Sequence, residues 1–317
     1  LALREVIQDM RVPTKLFNLC VKALTQSMDN RVMTALARTF IPYYDLHERT
    51  GIPVSVAVPN REAAAQIVKD MVQNETFLDF ILLLIKTGDK GYMGRRFKIP
   101  YMREIINGVI NLGYVYDTQN DMFTENSVQR CTRNWGTLRR GVEYTIALLR
   151  IDIVGNSELV KEYPQAKIQQ SYDAVRGIVR GAVDRRDGRI WSWDGDGGLA
   201  AFFRGHKHQQ AVLAGVEIIN ELYLFNHTRN PLDQELQLRI AAHSGSVEYT
   251  PEEEVLENSE TVSRVMEIEQ QLCSPNSMTA SEVIKMMLDS TVLNLLKEFK
   301  DGSFKRYYSY SLELEEA

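Results

Sequence analysis

Between Thr145 and His243 the chain alternates strand-length apolar runs with long helical patterns, and this alternation restricts the folds open to it. T-I-A-L-L-R-I-D, ending at Asp152, reads as a buried strand, and residues 157–184 read as one long helix. Next comes I-W-S-W-D-G-D-G-G-L-A-A-F-F (Ile190–Phe203), two apolar runs around an acidic, glycine-rich tip, which is the pattern of a tight β-hairpin. A helix from about His206 to Phe225 and the strand E-L-Q-L-R-I-A-A-H complete the set. Further on, the pattern predicts helices near Thr261–Leu272 and over Ala280–Lys297, then a last strand, F-K-R-Y-Y-S-Y-S-L. The order strand, helix, hairpin, helix, strand predicts an α+β domain, a sheet of mixed direction with its helices on one face.

Upstream, residues 1 to about 113 are mostly helical in pattern. Leu16, Leu19, Val21 and Leu24, then Val32, Leu36 and Phe40, recur at helical spacing. V-S-V-A-V (Val54–Val58) reads as a strand, and Asn60 as the cap of the Ala-rich helix after it. Phe77–Ile85 reads as a buried helix, followed by the glycine-broken basic loop K-T-G-D-K-G-Y-M-G-R-R-F-K (Lys86–Lys98). A helix near Tyr101–Leu112, the strand G-Y-V-Y and a turn at Asp117–Asp121 give this end a resemblance to a winged helix. Its basic loop, with Arg95 and Arg96, could then touch phosphates. The plainer reading is a solvated connector, because the net charge is −5 and no long basic recognition helix is present. Nucleic acid is therefore not an expected partner. The polar, basic stretch C-T-R-N-W-G-T-L-R-R-G (Cys131–Gly141) marks a boundary. The expected organisation is a mostly helical regulatory or dimerisation domain over 1–135, winged-helix-like near its end, and a second domain over 136–317.

An apolar content of 44% and a charged content of 25% are ordinary for a globular protein. Cys20, Cys131 and Cys273 are few and far apart, which fits a reducing compartment better than a disulfide framework. The longest apolar run, around Phe77–Ile85, is shorter than a membrane span and is interrupted by Asp79, so no membrane partner is expected. The first residues show no basic segment leading into an apolar one, although the numbering begins at Leu1 and not at Met. A cytoplasmic location is the expectation.

Two acidic residues fall at strand ends in the second domain. Asp152 ends its strand and is followed by I-V-G-N-S; Asp196 sits at the tip of the hairpin. If strand and hairpin are neighbours, both carboxylates project from one edge of the sheet. Hard divalent ions take oxygen ligands, and phosphoryl transfer uses one or two of them to offset developing charge. Backbone N–H groups of Ile153–Ser157, turning from strand into helix, could cradle phosphates, and Gly155 lets the backbone come close. Each piece also has a plain alternative. Asp-Gly is the commonest hairpin turn pair, and Asn156 or Ser157 could simply cap the next helix. An EF-hand loop is excluded, because Gly205 stands where its twelfth-position Glu would be.

Order and spacing add a resemblance. D-I-V-G-N-S, G-D-G-G-L-A-A-F-F and L-R-I-A-A-H-S-G-S-V are similar, in that order, to three motifs of the class III nucleotide cyclase catalytic domain. Those motifs are an Asp-Ile-x-Gly-(Phe/Ser)-Thr strand end, a Gly-Asp hairpin, and a Leu-Arg-x-Gly-x-His-x-Gly strand, here with Ala241 in place of the glycine. The resemblance covers residues 143–312 and implies a ferredoxin-like α+β domain, a mixed sheet with helices packed on it. It implies that Asp152 and Asp196 hold two Mg²⁺ or Mn²⁺ ions, with Ile153 lending a backbone carbonyl to one. The turn through Asn156 and Ser157 would meet the triphosphate, while Asp194 has no counterpart and reads as a turn residue. The implied reaction is attack of a ribose 3′-hydroxyl on the α-phosphorus of a nucleoside triphosphate. Its products are a 3′,5′-cyclic nucleotide and pyrophosphate, and its site forms across a dimer interface.

The sequence departs from the family in two places. Ser192 stands four positions before Asp196, where the family reads its base with Lys for adenine or Glu for guanine. A hydroxyl makes no charge-assisted bond, so neither ATP nor GTP is assigned and a smaller base stays open. The family's V-N-x-A-x-R helix meets E-N-S-E-T-V-S-R-V-M-E-I-E (Glu257–Glu269) in two registers. One places Ser263 and Glu267 at the Asn and Arg positions, the other Thr261 and Val265. The second register resembles the metal-holding half of the two-part animal adenylyl cyclases, whose other half supplies both residues. Arg264, one residue from the Arg position, is the candidate catalytic cation, and Lys300 a candidate nucleotide ligand. Lys305 and Arg306 are further substitutes, although a solvated strand edge is the plainer reading of these C-terminal residues. Three outcomes stay open: a homodimer using substitutes, a heterodimer in which a different chain completes the site, or a degenerate domain. The last would bind nucleotide and metal as a sensor or assembly module without turnover. The acidic run Glu252–Glu254 would repel a triphosphate brought close to it.

Overall fold

The computed structural model describes residues 12–117, 121–129, 132–250, 252 and 259–312. The chain divides into two compact units, Leu1–Cys131 and Thr132–Ala317.

Among the described residues, six helices build the first unit: α1 (Thr14–Ser27), α2 (Asn30–Arg38), α3 (Leu46–Thr50), α4 (Asn60–Gln73), α5 (Phe77–Lys90) and α6 (Met102–Asn111). A two-stranded antiparallel hairpin follows, β1 (Tyr114–Asp117) and β2 (Met122–Glu125). Leu16, Cys20 and Leu24 of α1 meet Met33 and Leu36 of α2, Ile67 of α4 and Phe80, Ile81 and Leu84 of α5 in one buried cluster. Three local expectations are corrected here. Val54–Val58 is not a strand: the Val56 N–H bonds back to the Pro53 carbonyl at 2.9 Å in a turn, and Val54 and Val56 are exposed. β-branched residues make a strand only where another strand offers partners, and among the described residues none pairs with this segment. Asn60 does not cap its own helix. Its Nδ2 donates to the Thr25 and Met28 carbonyls, at 3.2 and 2.8 Å, and so satisfies the C-terminal end of α1. The front of the basic stretch is helix, since α5 runs on to Lys90 and stops at Gly91 with φ +82°. Tyr92 and Arg95 then exchange backbone hydrogen bonds of 2.8 and 3.0 Å. Of the expected Asp117–Asp121 turn, residues 118–120 lie outside the described residues, as does Cys131.

The second unit is α+β, as the strand and helix order predicts. Its elements are β3 (Glu143–Ile153), α7 (Asn156–Glu162), α8 (Gln165–Asp184), β4 (Arg189–Asp194), β5 (Gly197–Phe202), α9 (Lys207–Thr228) and β6 (Leu238–Glu248). There follow α10 (Glu260–Leu272), β7 (Ser277–Ser281), α11 (Glu282–Lys285), α12 (Ser290–Leu293), β8 (Lys297–Lys300) and β9 (Arg306–Ser311). The described strands form a seven-stranded sheet in the order β4-β5-β3-β6-β7-β9-β8, with β6 and β7 parallel and every other pair antiparallel. β3-α8-β4-β5-α9-β6 is a β-α-β-β-α-β unit of the ferredoxin-like kind.

Alternate residues of β3 and β6 divide between the two faces of the sheet. Ala147, Leu149, Ile151, Ile153, Leu238, Ile240 and Ala242 pack under Val175 and Val179 of α8 and Ala211, Ile218 and Leu222 of α9. The helices are not confined to that face. Helix α10 covers the other one, with the Thr261 hydroxyl donating to the Ser246 carbonyl at 2.6 Å and Gly245 leaving room for it. The expected long helix over 157–184 is two helices, because the residue before Pro164 is pushed out of the helical region and breaks the run at Tyr163. The helix expected over Ala280–Lys297 is absent. Ser277–Ser281 instead forms a fully buried strand between β6 and β9, and only two short helices follow. Five buried residues in a row carry no period-two signal, which is why the pattern is silent there. No helix among the described residues is long and apolar enough to cross a membrane.

On the α10 face, His243 Nδ1 lies 2.8 Å from Ser281 Oγ. Burial, helped by the charge of Arg264, pushes its imidazole from 6.5 down to about 4. The folded chain therefore resists a proton that the unfolded chain accepts. The associated stability is intact above pH 6.5 and is lost as pH falls towards 4, by about 3 kcal/mol. His243→Asn is expected to flatten this slope in thermal melts taken between pH 7 and pH 4. A slope unchanged by the substitution would assign the acid limit to other groups.

Candidate active site

β3 pairs with β5 so that Asp152 stands opposite Gly197, and with β6 so that it stands opposite Arg239. Its side chain is 16% exposed, and Oδ2 accepts a 2.7 Å bond from Arg239 Nη2. Arg150, two residues earlier on the same face, brings Nη2 to 3.8 Å of Oδ1. The other side of the Arg239 guanidinium faces α10, where Nε is 2.7 Å from Oε1 of Glu269, a carboxylate only 2% exposed. Burial pushes the Glu269 carboxyl up, the charge of Asp152 adds to this, and the two arginines pull against it. Two carboxylates and two guanidiniums thus form a nearly buried network around the end of β3.

Asp196 is the second residue of a two-residue hairpin loop whose first, Gly195, takes φ +53°. The Asp196 carbonyl accepts the Ile153 N–H at 3.2 Å, which pins the tip of the hairpin to the end of β3. Asp194 ends β4 and is exposed. The chain leaves β3 through Gly155 at φ +71°, and Asn156 and Ser157 open α7. Asn156 Oδ1 accepts a hydrogen bond from the Tyr172 hydroxyl of α8. Burial raises the Tyr172 pKa, and the charges of Asp196 and Asp152 raise it further, so this hydroxyl senses both carboxylates.

The remaining sequence candidates are spread out. Ser192 is half-buried on β4 opposite Leu199, beside a bulge at Trp191. Arg264 binds Glu267 on its own helix and the Tyr307 hydroxyl on β9. Lys300 ends the edge strand β8, four strand spacings from β3, or roughly 19 Å. Lys305 and Arg306 precede or open β9, three spacings from β3. The sheet therefore keeps these three cations away from the Asp152 edge of the same chain. Glu252 is spent on Thr250 and on Arg140 at 3.0 Å, and Glu253 and Glu254 lie outside the described residues. Sequence reasoning missed Arg150, Arg239, Glu269 and Tyr172. Arg150 was open to view, two residues before Asp152 in an otherwise apolar strand.

Among the described residues no group of three or more His, Cys, Asp or Glu side chains is placed to hold a metal ion. The donors at this edge are two carboxylates and a strand-end backbone carbonyl. Oxygen donors of this kind would suit a hard divalent ion if further oxygen ligands completed the coordination. An ion taking Oδ2 of Asp152 must displace Arg239 from it.

No protein-family model and no curated protein matches the chain. Similar solved structures include the catalytic core of a rhodopsin-guanylyl cyclase with converted specificity in complex with ATPαS, at 14% identity and TM-score 0.46, covering 54% of this chain and 98% of that one. The guanylyl cyclase Cya2 is 18% identical with TM-score 0.44, covering 54% and 92%. The adenylyl cyclase CyaB from P. aeruginosa is 12% identical with TM-score 0.46, covering 54% and 96%. This is a likeness to class III cyclase catalytic domains over about half of the chain, and it carries no activity or residue role across.

Proposed function

We propose that the second unit converts a nucleoside triphosphate to a 3′,5′-cyclic nucleotide and pyrophosphate, with Asp152 and Asp196 as ligands of two Mg²⁺ or Mn²⁺ ions. The main support is the 3.2 Å bond from the Ile153 N–H to the Asp196 carbonyl, which gathers both aspartates at one sheet edge. Ions bound there would offset charge on the phosphates and lower the pKa of the ribose 3′-hydroxyl. The chain's own part is positional. The Gly155 turn brings the backbone of Asn156 and Ser157 to the same edge, where the triphosphate would meet it. Arg239 and Arg150 hold the Asp152 carboxylate in place until an ion competes for it. Lys300, Lys305 and Arg306 would reach a triphosphate only from a second chain, which makes a dimer, homo- or heteromeric, part of the proposal. Its setting is the cytoplasm, where nucleoside triphosphates and Mg²⁺ are both at hand.

A second reading, a domain that binds nucleotide without turnover, is favoured by one observation. Arg264, the nearest stand-in for the family's arginine, is already engaged by Glu267 and Tyr307. Removing such a cation from a phosphoryl transition state typically costs orders of magnitude in rate. The deciding experiment incubates the chain with ATP, GTP, CTP and UTP in turn, with Mn²⁺, and follows pyrophosphate and cyclic product. Pyrophosphate from at least one nucleotide is the expected result. Binding without pyrophosphate leaves the sensor reading, and no binding of any of the four sinks both.

A further inference from the structure

Arg239 is held from two sides in unequal ways. Its Nη2 donates to Asp152 Oδ2 at 2.7 Å in a well-formed hydrogen bond. Its Nε stands as close to Glu269 Oε1, also at 2.7 Å, but without the direction a hydrogen bond needs. Both atoms are buried, and neither has a hydrogen-bond partner among the described residues. A buried N–H and a buried carboxylate oxygen left side by side without a bond are short of their best arrangement. The guanidinium is thus aligned on Asp152 and only abuts Glu269. The backbone around it is fixed: the β3–β6 register sets Arg239 opposite Asp152, and Glu269 sits 2% exposed on the last turn of α10. Arg150 does not contest this place. Its guanidinium packs on Gly197, where an added Cβ would lie 2.9 Å from Nη2, and it stays 3.8 Å from Asp152 Oδ1.

We infer that Glu269 is the seat that receives Arg239 when a divalent ion takes Asp152, which makes it a positioning residue for the metal edge although it touches no ion. The inference rests on reading Asp152 and Asp196 as that edge. An ion on Oδ2 and the Arg239 N–H exclude each other, because both need the same oxygen and their charges repel. Two places are then open to the guanidinium. Turned to solvent, it leaves Glu269 as a buried carboxylate stripped of its partner, which is strongly unfavourable. Turned onto Glu269, it forms the fork that is missing now, two parallel N–H···O bonds of the kind arginine and carboxylate favour. Every charge stays paired through the exchange: Asp152 passes from a guanidinium to an ion, and Glu269 from a bare contact to a fork. Ion affinity at Asp152 is therefore set in part from the far side of Arg239, by how well Glu269 holds it.

The test is Mn²⁺ binding to the full chain without nucleotide, read from the electron paramagnetic resonance signal of the free ion. Glu269→Gln keeps the shape of the side chain but not its charge, and is expected to weaken binding about ten-fold, the equivalent of one hydrogen bond to a charged group. The double variant Arg239→Met with Glu269→Gln removes the competitor along with its seat and leaves the network neutral. It is expected to bind about ten-fold more tightly than wild type. Compared with Arg239→Met alone, the double variant should differ little, because no guanidinium is left to receive. Wild-type affinity in Glu269→Gln, or a double variant no tighter than wild type, overturns the inference. So does a ten-fold loss on adding Glu269→Gln to Arg239→Met, which would reduce Glu269 to an attracting charge. If Arg239→Met alone does not fold, a crystal structure of the wild type with Mn²⁺ takes its place. Arg239 forked on Glu269 is the expected result there, and Arg239 still on Asp152 or turned to solvent overturns the inference. Failure of the metal-edge reading looks different: Asp152→Asn and Asp196→Asn would then bind Mn²⁺ as the wild type does.

Discussion

Replacing Arg239 by methionine is expected to destabilise the second unit by about 3–5 kcal/mol, the usual cost of stripping one partner from a buried ion pair. Its guanidinium lies between Asp152 and Glu269, each at 2.7 Å, and is itself 29% exposed. Without it the two carboxylates face each other, with only Arg150, 3.8 Å from Asp152, left to offset them. Glu269, pushed up by burial and by Asp152, would respond by taking a proton. The partner substitution Glu269→Gln removes one of the two charges and should recover a large part of the loss. Urea unfolding of both single variants and the double variant measures this coupling. A loss below about 1 kcal/mol for Arg239→Met would mean that solvent screens the network as it screens a surface pair.

Asp152→Asn and Asp196→Asn should each reduce formation of cyclic nucleotide and pyrophosphate by about a thousand-fold or more. A metal acting on phosphoryl oxygens supplies several kcal/mol of transition-state stabilisation, and about 4 kcal/mol corresponds to that factor. Asparagine keeps the volume of the side chain but removes the charge that would hold an ion. On the two-metal proposal the aspartates would act as one unit, so the double variant should fall little further than either single one. Stability should behave differently from activity. Asp152→Asn leaves Arg239 paired with Glu269, so its melting temperature should stay close to that of the wild type while Arg239→Met melts far lower. Wild-type rates in both asparagine variants would end the two-metal reading and leave any turnover unexplained by this edge.

Much of the architecture is legible in the amino-acid order. The strand ending at Asp152, the hairpin and helix α9 follow from apolar period and turn chemistry alone, because those signals are local. The break before α8 is legible too, in Pro164, but a continuous helical pattern on both sides conceals it. Strand β7 is not, since a strand buried on both faces has no alternation to read. Val54–Val58 fails in the opposite sense: its residues favour a strand, and among the described residues nothing pairs with it.

The sequence by itself determined the apolar strand that Asp152 ends, the turn of the β4–β5 hairpin, and the place of Asp196 at its tip. Only the tertiary structure decided what surrounds them. Arg239 reaches Asp152 across 87 residues because β6 pairs with β3 in one particular register, and a shift of one residue would turn it to the opposite face. Glu269 joins them because α10 covers the face opposite α8 and α9, and no local signal says which face a helix takes. Trp193, Arg176 and Tyr172 meet for the same reason. Their positions along the chain are set by periodicity, but their shared cleft exists only because α8 lies over the hairpin tip.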